Sequence, residues 1–86
     1  MNKAIYDIRH AAICGAITAA RKGKKLTLGE VAQSLKNSGR SSLSAETIGQ
    51  IEKGQRKLDV VELVDLAYAI DVPWSRLLPT ELKETM

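Results

Sequence analysis

Apolar residues recur at intervals of three and four along most of this chain, and nowhere do they alternate over the length of a strand. From Ala4 to about Lys22, the residues Ile5, Ile8, Ala12, Ile13, Ala16, Ile17 and Ala20 form one stripe without an intervening proline, which predicts a first helix. Gly15 inside that stripe costs about 1 kcal/mol relative to alanine, and points to the close approach of a neighbouring helix. Arg21, Lys22, Gly23, Lys24 and Lys25 end the helix, with cations in its last turn and a glycine just beyond. Thr27 caps a second helix, and Glu30 three residues later completes a T-x-x-E capping box. Its buried face is Val31, Ala32 and Leu35, and the turn residues from Asn37 to Ser42 stop it.

Ser44 caps a third, short helix, with Thr47 where a capping box would place Glu, Ile48 and Ile51 pointing inward, and Gly54 closing it. Asp59 caps a fourth helix from Val60 to Ile70, with Val61, Leu63, Val64, Leu66, Ala67 and Ile70 in register. Pro73 opens a last short helix carrying Trp74, Leu77 and Leu78, and Pro79 stops it. The expected fold is all-α: five helices in one domain over residues 1–79, then a polar tail over residues 80–86.

Size narrows the chemistry. Eighty-six residues make one small domain, too thin for a deep catalytic cavity. Aromatics are scarce (Tyr6, Tyr68 and Trp74, with no Phe), so the core is built from Ile, Leu, Val and Ala. The single cysteine, Cys14, excludes an internal disulfide and reads as a small core residue, and with the lone His10 it offers no metal set. No Ser/His/Asp set or phosphate loop is present, so neither an enzyme nor a cofactor is expected. No apolar run is long enough to span a bilayer, and Lys3, Asp7 and Arg9 make the N-terminus unlike a secretory signal; a cytoplasmic protein is expected. The net charge of +3 divides unevenly: residues 1–57 hold 11 Lys/Arg against 4 Asp/Glu, and residues 58–86 hold 2 against 6. The basic part could meet a polyanion, or its charges could be solvated helix faces.

Three blocks decide the expectation. They are Leu26-Thr27-Leu28-Gly29-Glu30-Val31-Ala32, then Leu43-Ser44-Ala45-Glu46-Thr47-Ile48-Gly49-Gln50-Ile51-Glu52-Lys53-Gly54, then Leu66 to Leu78. In this order they resemble the Cro/phage-repressor (XRE) type of helix-turn-helix domain, over roughly residues 17–78. The resemblance implies that the helix starting at Ser44 enters a DNA major groove, which is about 12 Å wide.

Ile48 and Ile51 on one face would leave Ala45, Glu46, Thr47, Gly49 and Gln50 on the other, as candidate base contacts. Gln50 suits adenine or a phosphate, Thr47 a phosphate or a thymine methyl, and Ala45 offers only a methyl. Glu46 either accepts from cytosine or serves the helix dipole. Leu28 stands where the family usually has a phosphate-binding Gln, leaving backbone N–H groups to make that contact. Ser44, Lys53, Arg56 and Lys57 are the other candidate backbone contacts, together with Lys36 and Arg40 in the turn between helices two and three. That turn is enlarged, with seven residues between Leu35 and Leu43. Its segment from Lys36 to Ser42 is a passive loop or an arm on flanking DNA, and two cations without a carboxylate favour the arm.

Arg21 and Glu52 match the family's internal ion pair, and Trp74, Leu77 and Leu78 its final helix, where they close the core or anchor a dimer. The expected function is that of a sequence-specific transcriptional regulator, a repressor or autoregulator binding a palindromic operator in double-stranded DNA as a homodimer. The alternative is a protein-interaction module, antitoxin-like or regulator-binding, that keeps the fold with weak DNA binding; Leu28, Glu46 and the acidic C-terminal third motivate it.

Overall fold

The computed structural model describes residues 8–79, and within them the chain is all helical, with no strand. The expected start of the first helix at Ala4 and the tail over residues 80–86 lie outside the described residues. Four α-helices follow one another: α1 Ile8–Gly23, α2 Leu28–Ser38, α3 Ala45–Glu52 and α4 Val60–Ile70. The fifth element is not an α-helix but a 3-10 turn, Trp74–Leu77. Pro79 is the reason: the residue before a proline is pushed out of the helical region, and Leu78 is accordingly extended (φ −88°, ψ 143°).

Local chemistry sets the ends of the helices. Thr27 and Asp59 each close a reciprocal capping box, with Glu30 and Glu62 respectively, and the Ser44 hydroxyl accepts from the Thr47 N–H at 3.1 Å. Every helix then stops on a left-handed residue: Lys25 (φ 59°), Gly39 (φ 72°), Gly54 (φ 74°) and Asp71 (φ 68°). Two backbone bonds fold back there each time, as with Gly54 N–H to Ile51 C=O and Gln55 N–H to Gln50 C=O, both 2.9 Å. At the end of α1 the reversal falls on Lys25, and the expected stop, Gly23, is still helical.

α2 runs two residues into the turn-forming stretch, through Asn37 and Ser38. Gln33 Nε2 donates to Asn37 Oδ1 at 2.8 Å, and Ser38 Oγ donates to the Leu35 carbonyl at 3.0 Å. These bonds hold the last turn until Gly39 ends it. The enlarged turn therefore shrinks to the stretch from Gly39 to the cap at Ser44.

One core joins the elements. Cys14, Ile17, Val31, Leu35, Ile48, Ile51, Leu63, Leu66, Ala67, Ile70 and Leu77 are all buried. α2 packs on both α3 and α4, α1 lies against the same two helices, and the 3-10 turn closes on α1 and α4. Each fully buried Ile or Leu contributes about 1.5–3 kcal/mol.

Four expected apolar-face positions point outward instead: Ile8 (82% exposed), Ala12, Val61 (64%) and Val64, the last at the edge of exposure. Gly15 is also on the exposed side of α1, with nothing within 4 Å of where a Cβ would stand, so no helix approaches it. Leu77, a candidate dimer anchor, is sealed in the core at 1% exposure and cannot meet a second molecule, whereas Trp74 keeps an exposed edge. Leu78 is half-buried against the core.

Candidate nucleic-acid interface

α3 is fixed from three directions. Ile48 and Ile51 anchor it in the core. Glu52, at its last turn, receives Arg21 of α1 in a two-pronged pair, Nε to Oε2 at 2.7 Å and Nη2 to Oε1 at 2.9 Å. The remaining Arg21 nitrogen, Nη1, donates to the Leu26 carbonyl at 2.8 Å, so α1, the loop before α2 and α3 meet at one guanidinium. The carboxylate bonds raise the Arg21 pKa further above its ordinary value, against the opposing effect of burial.

The third anchor is Gly49, which the candidate base contacts included. It is buried, and a Cβ on it would stand 3.3 Å from Leu28 Cδ1. Gly49 is thus not on the outward face; its bare Cα lets the first residue of α2 press against α3. Leu28 packs against the core in turn, so its side chain braces α3 by contact while its backbone stays at the helix start.

What remains outward on α3 is narrow. Glu46 and Gln50 are exposed one turn apart, and Lys53 continues the same line just past the helix end. Ala45 and Thr47 are half-buried beside them. Ser44 Oγ donates to Thr47 Oγ1 at 3.0 Å, which leaves the Thr47 hydroxyl proton to point to an outside acceptor.

Two open clefts border this line. One, about 320 Å³, lies beside the Ser44 end and is lined by Gly29, Gln33, Lys36, Ser42 and Ser44 among others. The other, about 300 Å³, lies beside the Lys53 end and is lined by Thr18, Lys22, Leu28, Gly49 and Lys53 with the Arg21–Glu52 pair. Lys36, Lys53 and Lys22 are all exposed. Lys22 and Thr18 were absent from the sequence-based candidates. Their spacing of four on α1, on the side that carries Arg21, was the available signal. Thr18 has its hydroxyl turned back to the Cys14 carbonyl at 3.2 Å, so Lys22 is the stronger addition.

Two of the candidate phosphate contacts are engaged within the protein. Arg40 Nη1 lies 3.6 Å from Oδ1 of the buried Asp65, and its guanidinium sits 3.8 Å over the Tyr68 ring. The stretch around Arg40 is therefore held against α4, with 40% of the Arg40 side chain still accessible. Arg56 pairs through both terminal nitrogens with Glu62, at 3.0 and 3.1 Å. Its chain neighbour Lys57 is exposed. Among the described residues no cluster of three His, Cys, Asp or Glu could hold a metal ion, and no helix is long and apolar enough to cross a membrane.

Compared with family models, with curated proteins and with solved structures, the chain matches none. Its function is therefore argued from the residues and their arrangement.

Proposed function

We propose that this protein is a sequence-specific DNA-binding regulator of the repressor helix-turn-helix type, with α2 and α3 as its two-helix unit and α3 as the reading helix. The observation that carries this is the outward line of Glu46, Gln50 and Lys53 on a helix anchored everywhere else, flanked on both sides by exposed lysines. A helix so held presents side chains to a major groove without conformational loss in its own backbone.

Each residue has a role. Gln50 pairs with the adenine edge through two hydrogen bonds. Glu46 accepts from a cytosine amino group, a major-groove donor that suits a carboxylate. Thr47 and the backbone N–H groups at the starts of α2 and α3 take phosphate oxygens. Lys22, Lys36, Lys53 and Lys57 neutralise further phosphates. Arg21, Arg40 and Arg56 are positioning groups. Binding to a palindromic site as a homodimer, regulation of transcription and a cytoplasmic location go with this reading.

The experiment is selection of duplexes from a random pool by the purified protein, followed by a salt titration of the recovered site. A preferred sequence bound with a steep salt dependence supports the reading; indifference to sequence, or no complex at micromolar protein, overturns it. In that event the interaction-module reading takes over, since the bare valines on α4 and the two internally paired arginines favour it.

A further inference from the structure

Two loops flank α3, and both are fastened to α4. The charged residues within Val60–Ile70 are Glu62 and Asp65, three positions apart and so on one side of that helix. Glu62 receives Arg56, from the loop after α3, through both terminal nitrogens at 3.1 and 3.0 Å. The same carboxylate accepts the Asp59 N–H at 3.2 Å, so the pair is built on the cap that starts α4. Asp65 is buried and lies 3.6 Å from Arg40, which comes from the loop before α3 and stacks on the Tyr68 ring. Arg40 precedes the Ser44 cap by four residues, and Arg56 follows Lys53 by three.

We infer that Glu62 and Asp65 are positioning residues for base recognition: Asp65 acts through Arg40 on the Ser44 end of α3, and Glu62 through Arg56 on the Lys53 end. Neither carboxylate lines the clefts beside α3, so each acts through its arginine. Ile48 and Ile51 fix the depth of α3, but apolar contact is non-directional and lets a short helix slide or tilt. Arg21 restrains the helix from the α1 side. Ion pairs on the two flanking loops are directional as well, and they add a restraint from the α4 side. Stability alone does not account for them. Replacing a buried pair by apolar residues is often neutral or better, so an apolar side chain in place of Asp65 would serve the core as well.

Reading base edges demands placement within about 0.5 Å, whereas phosphate contacts carry no sequence information and come here from flexible lysines. Loosening the hold therefore lowers discrimination between sequences and leaves the attraction to DNA in place. The two ends act on different base pairs, because Glu46 lies in the first turn of α3 and Gln50 in its last. The inference rests on the regulator reading for its consequence at the bases; the hold on α3 itself is measured without DNA.

The test compares Asp65→Asn and Glu62→Gln with the wild type in two measurements, after circular dichroism confirms each fold. Glutamine keeps the capping box, so Glu62→Gln reports even where Asp65→Asn does not fold. The first measurement is residue-resolved amide hydrogen exchange without DNA. Asp65→Asn should speed exchange severalfold at the bonded amides of Thr47 and Ile48, and Glu62→Gln at those of Lys53 and Gln55, with α1 unchanged. The second is binding to the selected duplex, to its single-base variants and to an unrelated duplex. Discrimination should fall about tenfold, at the base pair read by Glu46 in Asp65→Asn and at the one read by Gln50 in Glu62→Gln. Unrelated DNA should be bound no more weakly than by the wild type, since each variant gains one net positive charge. Arg40→Gln and Arg56→Gln should repeat the loss of discrimination, end for end. Exchange that is unchanged, or that rises equally over all helices, overturns the inference. So does full discrimination in a variant whose exchange has risen, or tighter binding to every duplex alike, which would leave the carboxylates only repelling DNA. If the wild type prefers no sequence, the regulator reading fails by itself, and the exchange pattern still decides whether the carboxylates hold α3.

Discussion

Removing Glu52 tests whether α3 is held as described. In Glu52→Ala the Arg21 guanidinium, with 12% of its side chain accessible, loses both carboxylate bonds and keeps only the Leu26 carbonyl. Breaking a buried pair at one partner costs about 3–5 kcal/mol, and the remaining carbonyl and partial access place this case at the lower end, about 3 kcal/mol. A chain of this length has a total stability of about 4–13 kcal/mol, so the loss is a large share of it. Urea unfolding followed by circular dichroism should show a midpoint lowered by roughly 2–3 M, given a slope near 1 kcal/mol/M for a small domain. Arg21→Met should cost a similar amount, because it strands a carboxylate that is 8% accessible. The double variant Arg21→Met, Glu52→Leu should return close to wild type, since apolar residues of similar size replace buried pairs at little cost. Single variants each losing less than about 1 kcal/mol, or a double variant losing the sum of both, would refute a buried, coupled pair.

Four further outcomes follow from the same geometry. Gly15→Ala should stabilise the fold by about 1 kcal/mol, because the site is helical and open; a destabilised variant would mean that a neighbour does approach it. Gly49→Val should overpack against Leu28 and cost about 1–3 kcal/mol, and much of that loss should return in a Leu28→Ala background, as read by thermal melting. Lys22→Gln, Lys36→Gln and Lys53→Gln should each flatten the log–log salt dependence of DNA binding by about 0.9; Arg40→Gln and Arg56→Gln should leave that slope unchanged, and the reverse pattern would restore the arginines as phosphate contacts. Burial raises the Cys14 thiol above its ordinary value. Its contribution to stability is therefore complete below the unfolded thiol pKa, about 8.5, and is lost as pH rises through the higher folded value. Urea midpoints at neutral and at alkaline pH should show a steeper decline for wild type than for Cys14→Ala, and parallel declines would contradict this.

Local signals were the ones the sequence displayed openly. A cap needs only a hydroxyl or carboxylate and the three residues after it, so Thr27, Ser44 and Asp59 could be read directly, and all three cap. The pairing of Arg21 with Glu52, 31 residues apart, entered through resemblance, and spacing alone would not have given it. Gly49 was misplaced because a glycine carries no hydropathy: its burial is decided by Leu28, 21 residues earlier, which fills the space a Cβ would need. Arg40 and Arg56 looked like free cations because a charge does not announce its partner, and their carboxylates lie on α4, in the acidic third of the chain. Val61 and Val64 read as inward because α4 is apolar on most sides, and periodicity cannot choose a face where both qualify. Lys22 reads from the sequence only as a helix-ending cation, and the cleft it shares with Lys53 gives it a second use.

Chemical-shift mapping of the backbone amides, with a duplex carrying the selected site added to labelled protein at low salt, tests most directly whether the outward line of α3 reads DNA. Shifts concentrated from Ser44 to Lys53, at the start of α2 and at Lys22, with α4 unmoved beyond any change caused by dimerisation, are the expected result. Shifts confined to α4 or the Trp74 turn while Glu46, Gln50 and Lys53 stay in place would contradict it.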